Sequence, residues 1–414
     1  MDSWIRGVRI LDPLYQGDHL KDVLIRDGFI QAIEPFLDLS GDDIPEIDGQ
    51  GCLLGPGLVD LYSQTGEPGH ESRETLEQLQ QAAARGGFTR VGVLPNTIPA
   101  VDSPAQVVQR LASNDPGKPQ VIPWGAITQG TQGERLTNLL ELSMTGVVGL
   151  SDGQSLGNGR MVQRLLEYAQ SLSLPLGLWP CDLAQMGICR DGADAIRLGL
   201  LPLPMTSETR PLTALLEEVA LSLRPVHLMR ISTARSVELI RDAKDRGLPI
   251  TASVTWLHLL FSTADLDSYA PSLRLAPPLG TPEDREALIA GLEDGTLDAI
   301  AVDHCAHTYE EKAVPFSIAP PGAIGLQLAL PALWRAFVTT NRWTALQLWS
   351  YLSLHPARCL GLETAAIEVG APANLVLFDP NYEWLATSET LGCDAINTPY
   401  SQQTIYGHAK HIWI

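Results

Sequence analysis

Eight short apolar runs, separated by segments long enough for helices, constrain this chain more than any other feature. They fall at residues 58–61, 90–94, 121–124, 147–150, 176–179, 226–229, 250–254 and 300–302. Strand-length runs alternating with helical stretches are the mark of parallel α/β architecture, and eight such strands suggest closure into a (β/α)8 barrel. One of the connecting helices is well marked. Residues 233–246 carry Ala234, Val237, Ile240 and Ala243 on one face, with Ser232 as N-cap candidate and Gly247 as stop. In a barrel of this kind the polar residues just after the strands are where a site is built.

The two chain ends have a different character. Residues 23–33 (VLIRDGFIQAI) are two β-prone runs joined by Asp27-Gly28, the turn chemistry of a tight hairpin. Strand-like sequence returns at 373–378 and 404–414. The expected organisation is a small β-sandwich-like domain made from residues 1–56 with 360–414, around a barrel at 57–359. A chain of 414 residues with 45% hydrophobic content can bury a core of that size.

Charge and cysteine usage narrow the classes of function. A formal net charge of -20 argues against nucleic-acid or anionic-membrane partners, because an acidic surface repels phosphates. The six cysteines (Cys52, Cys181, Cys189, Cys305, Cys359, Cys393) show no CxxC pairing and suggest neither a zinc ribbon nor a disulfide framework. The N-terminus lacks a secretory succession, and nowhere do about 18 uncharged apolar residues run together. A cytoplasmic, non-membrane protein is the expectation.

Motifs in order along the chain are more specific. Gly57-Leu58-Val59-Asp60-Leu61 with Glu67-Pro68-Gly69 resembles the first-strand motif of the dihydroorotase family, in the metal-dependent amidohydrolase superfamily. Gly86-Gly87-Phe88-Thr89 with Leu94-Pro95-Asn96-Thr97 is similar to the second-strand signature, Gly247 to Thr255 to the seventh, and Val302-Asp303-His304-Cys305-Ala306-His307 to the eighth. Glu310-Glu311-Lys312, Pro321-Gly322, His355-Pro356-Ala357 and Val369-Gly370-Ala371 continue the order. The resemblance implies a barrel whose mouth opens or closes a cyclic amide at zinc, which lowers the pKa of bound water and polarises the carbonyl.

At the positions where that resemblance implies histidine ligands, this chain has Tyr62 and Gln64 after the first strand, Pro180 after the fifth and Arg230 after the sixth. Proline offers no donor atom, and arginine repels a cation. Gly66 and Ala276 stand where the resemblance implies an arginine and an asparagine for the substrate carboxylate. Asn96 and His307 match substrate-binding positions, and Asp303 matches the carboxylate that ligates metal and moves the proton. No zinc or other cofactor is therefore expected, although the family as a whole implies zinc. Asp152, Arg230 and Asp303 are candidates for a metal-free polar cluster with Tyr62, a guanidinium replacing the metal as counter-charge.

The remaining histidines restore no ligand set: His70 reads as a loop residue, His227 as a hydrogen-bonded core residue, His258 as a relic and His304 as a residue behind the site. Cys305 beside His307 raises the question of a thiol nucleophile, against the plainer reading of a small core filler. The leading expectation is a dihydroorotase homologue of pyrimidine biosynthesis that is catalytically inactive and serves structure or regulation. The resemblance implies a homodimer and makes aspartate carbamoyltransferase the first candidate partner. The alternatives are an active cyclic-amide hydrolase with an unusual metal site, and a module that senses a pyrimidine intermediate.

Overall fold

The computed structural model describes residues 2–39, 43–157, 159–182, 184–364 and 366–414. The chain opens with β1 (Ser3–Asp12), β2 (Gly17–Arg26), β3 (Phe29–Glu34), β4 (Glu46–Asp48) and β5 (Leu53–Pro56). The β2–β3 hairpin turns at Asp27 and Gly28, both with positive φ (51° and 78°), as a two-residue hairpin requires. Next comes β6 (Leu58–Ser63), the first barrel strand, followed by β7 (Phe88–Val93), β8 (Gln120–Gly125), β9 (Gly149–Leu150) and β10 (Gly177–Leu178). A short parallel pair, β11 (Cys189–Arg190) and β12 (Pro202–Leu203), forms an excursion before β13 (Val226–Leu228), β14 (Ile250–Thr255) and β15 (Ala299–Ala301). The last strands are β16 (Leu375–Leu385) and β17 (Thr404–Trp413).

The end strands form one sheet in the order β17-β16-β5-β1-β2-β3, with β4 paired to β1. Its inward residues, among them Ile5, Val23, Ile25, Leu54, Leu375 and Trp413, pack into their own apolar cluster.

The eight barrel strands pair in parallel as β6-β7-β8-β9 and β10-β13-β14-β15. A parallel bridge between Leu150 and Leu176 joins the two halves. The ring closes where the Asp303 N–H donates to the Tyr62 carbonyl (3.1 Å) and the Gln64 N–H to that of His304 (2.7 Å). Asp60, fully buried, reinforces the seam by accepting the Val302 N–H at 2.7 Å.

Side chains fill the barrel, as a closed eight-strand ring demands. Trp124 is among the largest of them, its indole N–H on the Leu61 carbonyl (2.9 Å). A Cβ on Gly149 would lie 2.4 Å from that ring, so glycine is what makes room for it.

The helix read at 233–246 spans Ala234–Asp245. Its N-cap is Thr233 and not Ser232: Thr233 accepts the Ser236 N–H (3.2 Å), while the Ser232 hydroxyl is spent on the buried Glu208 carboxylate. Among the described residues no helix is long and apolar enough to cross a membrane.

Candidate functional site

A cleft of about 270 Å³ opens at the carboxyl ends of the strands, where barrel sites are built. Two non-glycine residues with left-handed backbone meet in it. Arg230 (φ 55°) follows β13 and Asp303 (φ 53°) follows β15. Such a backbone costs about 1–2 kcal/mol for a residue with a Cβ, and here it turns both side chains into the mouth. Arg230 Nε lies 2.7 Å from Asp303 Oδ2 and Nη2 lies 2.6 Å from Oδ1, a two-point ion pair. Nη1 donates to the Gly153 carbonyl at 2.7 Å.

The guanidinium also lies between two aromatic rings, its carbon 5.0 Å from the Trp179 ring centroid and 5.4 Å from that of Tyr62. Arg230 is only 3% exposed. Burial pulls its pKa down, but the adjoining Asp303 carboxylate outweighs that and holds it above the ordinary arginine range.

Tyr62 continues the network into the barrel. Its hydroxyl accepts the Arg230 backbone N–H (3.0 Å) and bonds Ser253 Oγ (2.9 Å). Ser253 meets His227 Nε2 and Thr251 meets His227 Nδ1, both at 2.9 Å. His227 is thus a core histidine, and burial pushes its pKa down to about 3.

Asp152 does not join Arg230 and Asp303, contrary to the sequence reading. Its carboxylate instead accepts the Thr128 backbone N–H (2.9 Å) and the Thr128 hydroxyl, 1% exposed and with its pKa raised by burial. Two donors from one residue hold it on its own side of the strand ends. Thr128→Val is expected to cost about 2 kcal/mol by removing the hydroxyl donor to that buried carboxylate while the backbone N–H remains, read as a lower urea midpoint. Thr128→Ser should restore it, and wild-type stability of Thr128→Val would refute the role.

Gln64 and Asn96 both line the cleft, their side-chain amides 3.5 Å apart. Pro180 does not; it lines a neighbouring cavity beside helix Thr206–Ser222. His307 sits behind the Cys305 and Pro321 wall, its Nε2 3.0 Å from the Pro321 carbonyl. Because Nε2 must donate there, it has no lone pair for the Cys305 thiol 3.5 Å away. Burial pushes that thiol up to about 12, so the pair is not an activated nucleophile.

A Cβ on Gly66 would stand 2.3 Å from the His70 carbonyl oxygen, so no arginine fits there while the loop keeps this course. His304 pairs with Glu74 at 3.0 Å, both fully buried behind the seam. His258, pushed down to about 4 by burial, bonds Thr255 Oγ1 at 2.7 Å.

Zinc does not fit this donor set. The Tyr62 hydroxyl is committed to Ser253 and Arg230, the Asp303 carboxylate is taken by a cation, and a guanidinium stands beside it. Among the described residues no three His, Cys, Asp or Glu side chains come together in a group able to hold a metal ion. Sequence reasoning missed Trp179, Gln154 and Thr255, all on the cleft wall. Of these, Trp179 had a signal, being the aromatic neighbour of the altered position Pro180.

Comparison with known proteins agrees with this architecture. Residues 51–161 match the dihydro-orotase-like family and residues 209–404 the amidohydrolase family. A dihydroorotase-like protein of Synechocystis sp. is 43% identical, with 97% of each chain covered. The dihydroorotase of Caldanaerobacter subterraneus subsp. tengcongensis is 37% identical, covering 96% of this chain and 92% of its own. Among solved structures, the L-hydantoinase (dihydropyrimidinase) of Arthrobacter aurescens superposes with a TM-score of 0.84 at 20% identity, over 99% of this chain and 93% of that one, which speaks to the fold alone. The chain belongs to the dihydroorotase family of amidohydrolase-type barrels.

Proposed function

We propose that this chain is a non-hydrolytic member of its family, in which Arg230 replaces the metal as the counter-charge of Asp303. The ion pair in the barrel mouth carries this reading. A carboxylate held at both oxygens by a guanidinium is a poor proton acceptor and a poor metal ligand, and zinc binds weakly without three good donors in fixed geometry. The retained barrel then serves assembly or regulation in pyrimidine biosynthesis. Aspartate carbamoyltransferase is the first candidate partner and a homodimer the expected state, both on the strength of the family resemblance.

Elemental analysis of the purified protein, paired with a dihydroorotase assay in both directions with added zinc, tests the reading. The expected result is below about 0.1 metal per chain and no turnover above the enzyme-free control. Stoichiometric metal with turnover would overturn it in favour of a hydrolase with an unusual site. Copurification from the host tests the partner, and light scattering the dimer.

A second reading draws on the cleft that remains beside the ion pair, with the Gln64, Asn96 and Gln154 amides on its wall. Thermal stabilisation by dihydroorotate or carbamoyl aspartate without turnover would mark a ligand sensor.

A further inference from the structure

The opposite end of the barrel carries a second cleft, of about 400 Å³. Pro175, Pro225 and Pro249, placed just ahead of β10, β13 and β14, wall it together with the segment around Arg358. Arg224 and Arg358 both line it, and among the described residues no Asp or Glu does. In a chain of net charge -20, two arginines lining one cleft are a local concentration of positive charge.

Arg224 is 6% exposed. It donates through Nη2 to the Leu174 carbonyl, but its buried Nε has no hydrogen-bond partner among the described residues. Burial depresses its pKa with no acidic neighbour to oppose the shift. Among the described residues neither arginine forms an ion pair. A guanidinium taken out of water without a counter-ion is strongly unfavourable. The end of helix Thr206–Ser222 just before it favours a cation, yet supplies no acceptor for Nε. His227 on the same cleft is kept neutral by burial, so the positive charge comes from the two arginines.

We propose that this cleft binds a small organic oxyanion, its charged end between Arg224 and Arg358 and its flat apolar body against the three prolines. Guanidinium groups suit phosphate and carboxylate alike. The cleft volume falls within the range of small-molecule sites, and the recessed position of Arg224 favours a small ligand over a protein surface. The N-terminal face of a barrel ordinarily serves stability; an unpaired buried cation does the reverse, which is why a ligand is inferred. This site is independent of the Arg230 pair and of whether the chain hydrolyses anything.

Calorimetric titration of the full-length protein with phenyl phosphate, benzoate and inorganic phosphate tests the site. Phenyl phosphate or benzoate is expected to bind with a Kd below about 1 mM, and the stronger of the two identifies the oxyanion. Inorganic phosphate, lacking the apolar body, should bind more weakly. Arg358→Gln, at an exposed position that leaves folding intact, should weaken binding about fivefold, and Arg224→Met about tenfold or more. No binding up to about 10 mM, unchanged affinity in Arg358→Gln, equal affinity for inorganic phosphate, or capture of an acidic peptide alone would each overturn the proposal.

Discussion

Arg230→Met is expected to lower the free energy of unfolding by about 3 kcal/mol, because it leaves Asp303 largely buried with no counter-charge. The Asp303 carboxylate is 15% exposed and its hydrogen bonds go to that one guanidinium. The single change also removes the cation from between Trp179 and Tyr62. Asp303→Asn should cost a comparable amount, since it leaves the guanidinium, only 3% exposed, without a counter-charge and sets an amide NH2 against one of its two N–H donors, although the Gly153 carbonyl still accepts from it. The double variant Arg230→Met/Asp303→Asn should be more stable than the sum of the singles implies, by about 2 kcal/mol or more of coupling. Urea denaturation of the four proteins closes this cycle. Additivity would show that the pair is not the counter-charge arrangement on which the functional reading rests. In the competing case of a zinc-holding site, wild-type stability would fall with a chelator, and in the ion-pair case it would not change.

The barrel was legible because its signal is periodic and repeated. Eight apolar runs, several of them followed by a helical pattern, survive one-residue errors at their ends: the run read at 147–150 is a strand only at Gly149–Leu150, and the ring still closes. The pairing of Arg230 with Asp303 was also legible, because a guanidinium and a carboxylate stand at corresponding strand ends.

Other parts of the site were not. The turn of Arg230 and Asp303 into the mouth depends on left-handed backbone at two residues with Cβ atoms, which no composition rule anticipates. Asp152 looks interchangeable with Asp303 as sequence, yet one local donor, Thr128, takes it out of the cluster. His307 differs from Asn96 only in which side of the Cys305 and Pro321 wall it occupies, a matter of tertiary packing. The cleft at Arg224 is built from residues ahead of three strands and from the segment 358–361, far off in sequence, so no local pattern marks it.

Between about pH 6.5 and 4 the protein is expected to lose stability as acid is added, by about 1.4 kcal/mol per pH unit from three buried groups. His227 and His258 are pushed down by burial to about 3 and about 4 from 6.5. Asp60 is pushed up by burial to about 7 from 3.8, against the opposing pull of the Ser63 hydroxyl and the Val302 N–H. In this window the unfolded chain holds a proton on each histidine and none on Asp60. The folded chain holds none on the histidines and one on Asp60. The unfolded state therefore carries one more proton in net, and stability rises with pH. Each histidine contributes stability that is complete above 6.5 and lost as pH falls toward its folded value; Asp60 contributes in the opposite sense, losing stability as pH rises toward 7. Asp60→Asn removes the opposing group and should steepen the wild-type slope by about 1.4 kcal/mol per unit, whereas His227→Gln should flatten it by about the same amount. Urea denaturation at three pH values across the window reads all three slopes, and the differences from wild type cancel the contribution of surface carboxylates and of His307, His355, His408 and His411, whose pKa values burial also lowers. Slopes unmoved by both substitutions would mean that these groups titrate in the folded protein as they do in water, and that the polar line from Thr251 to Arg230 is open to solvent.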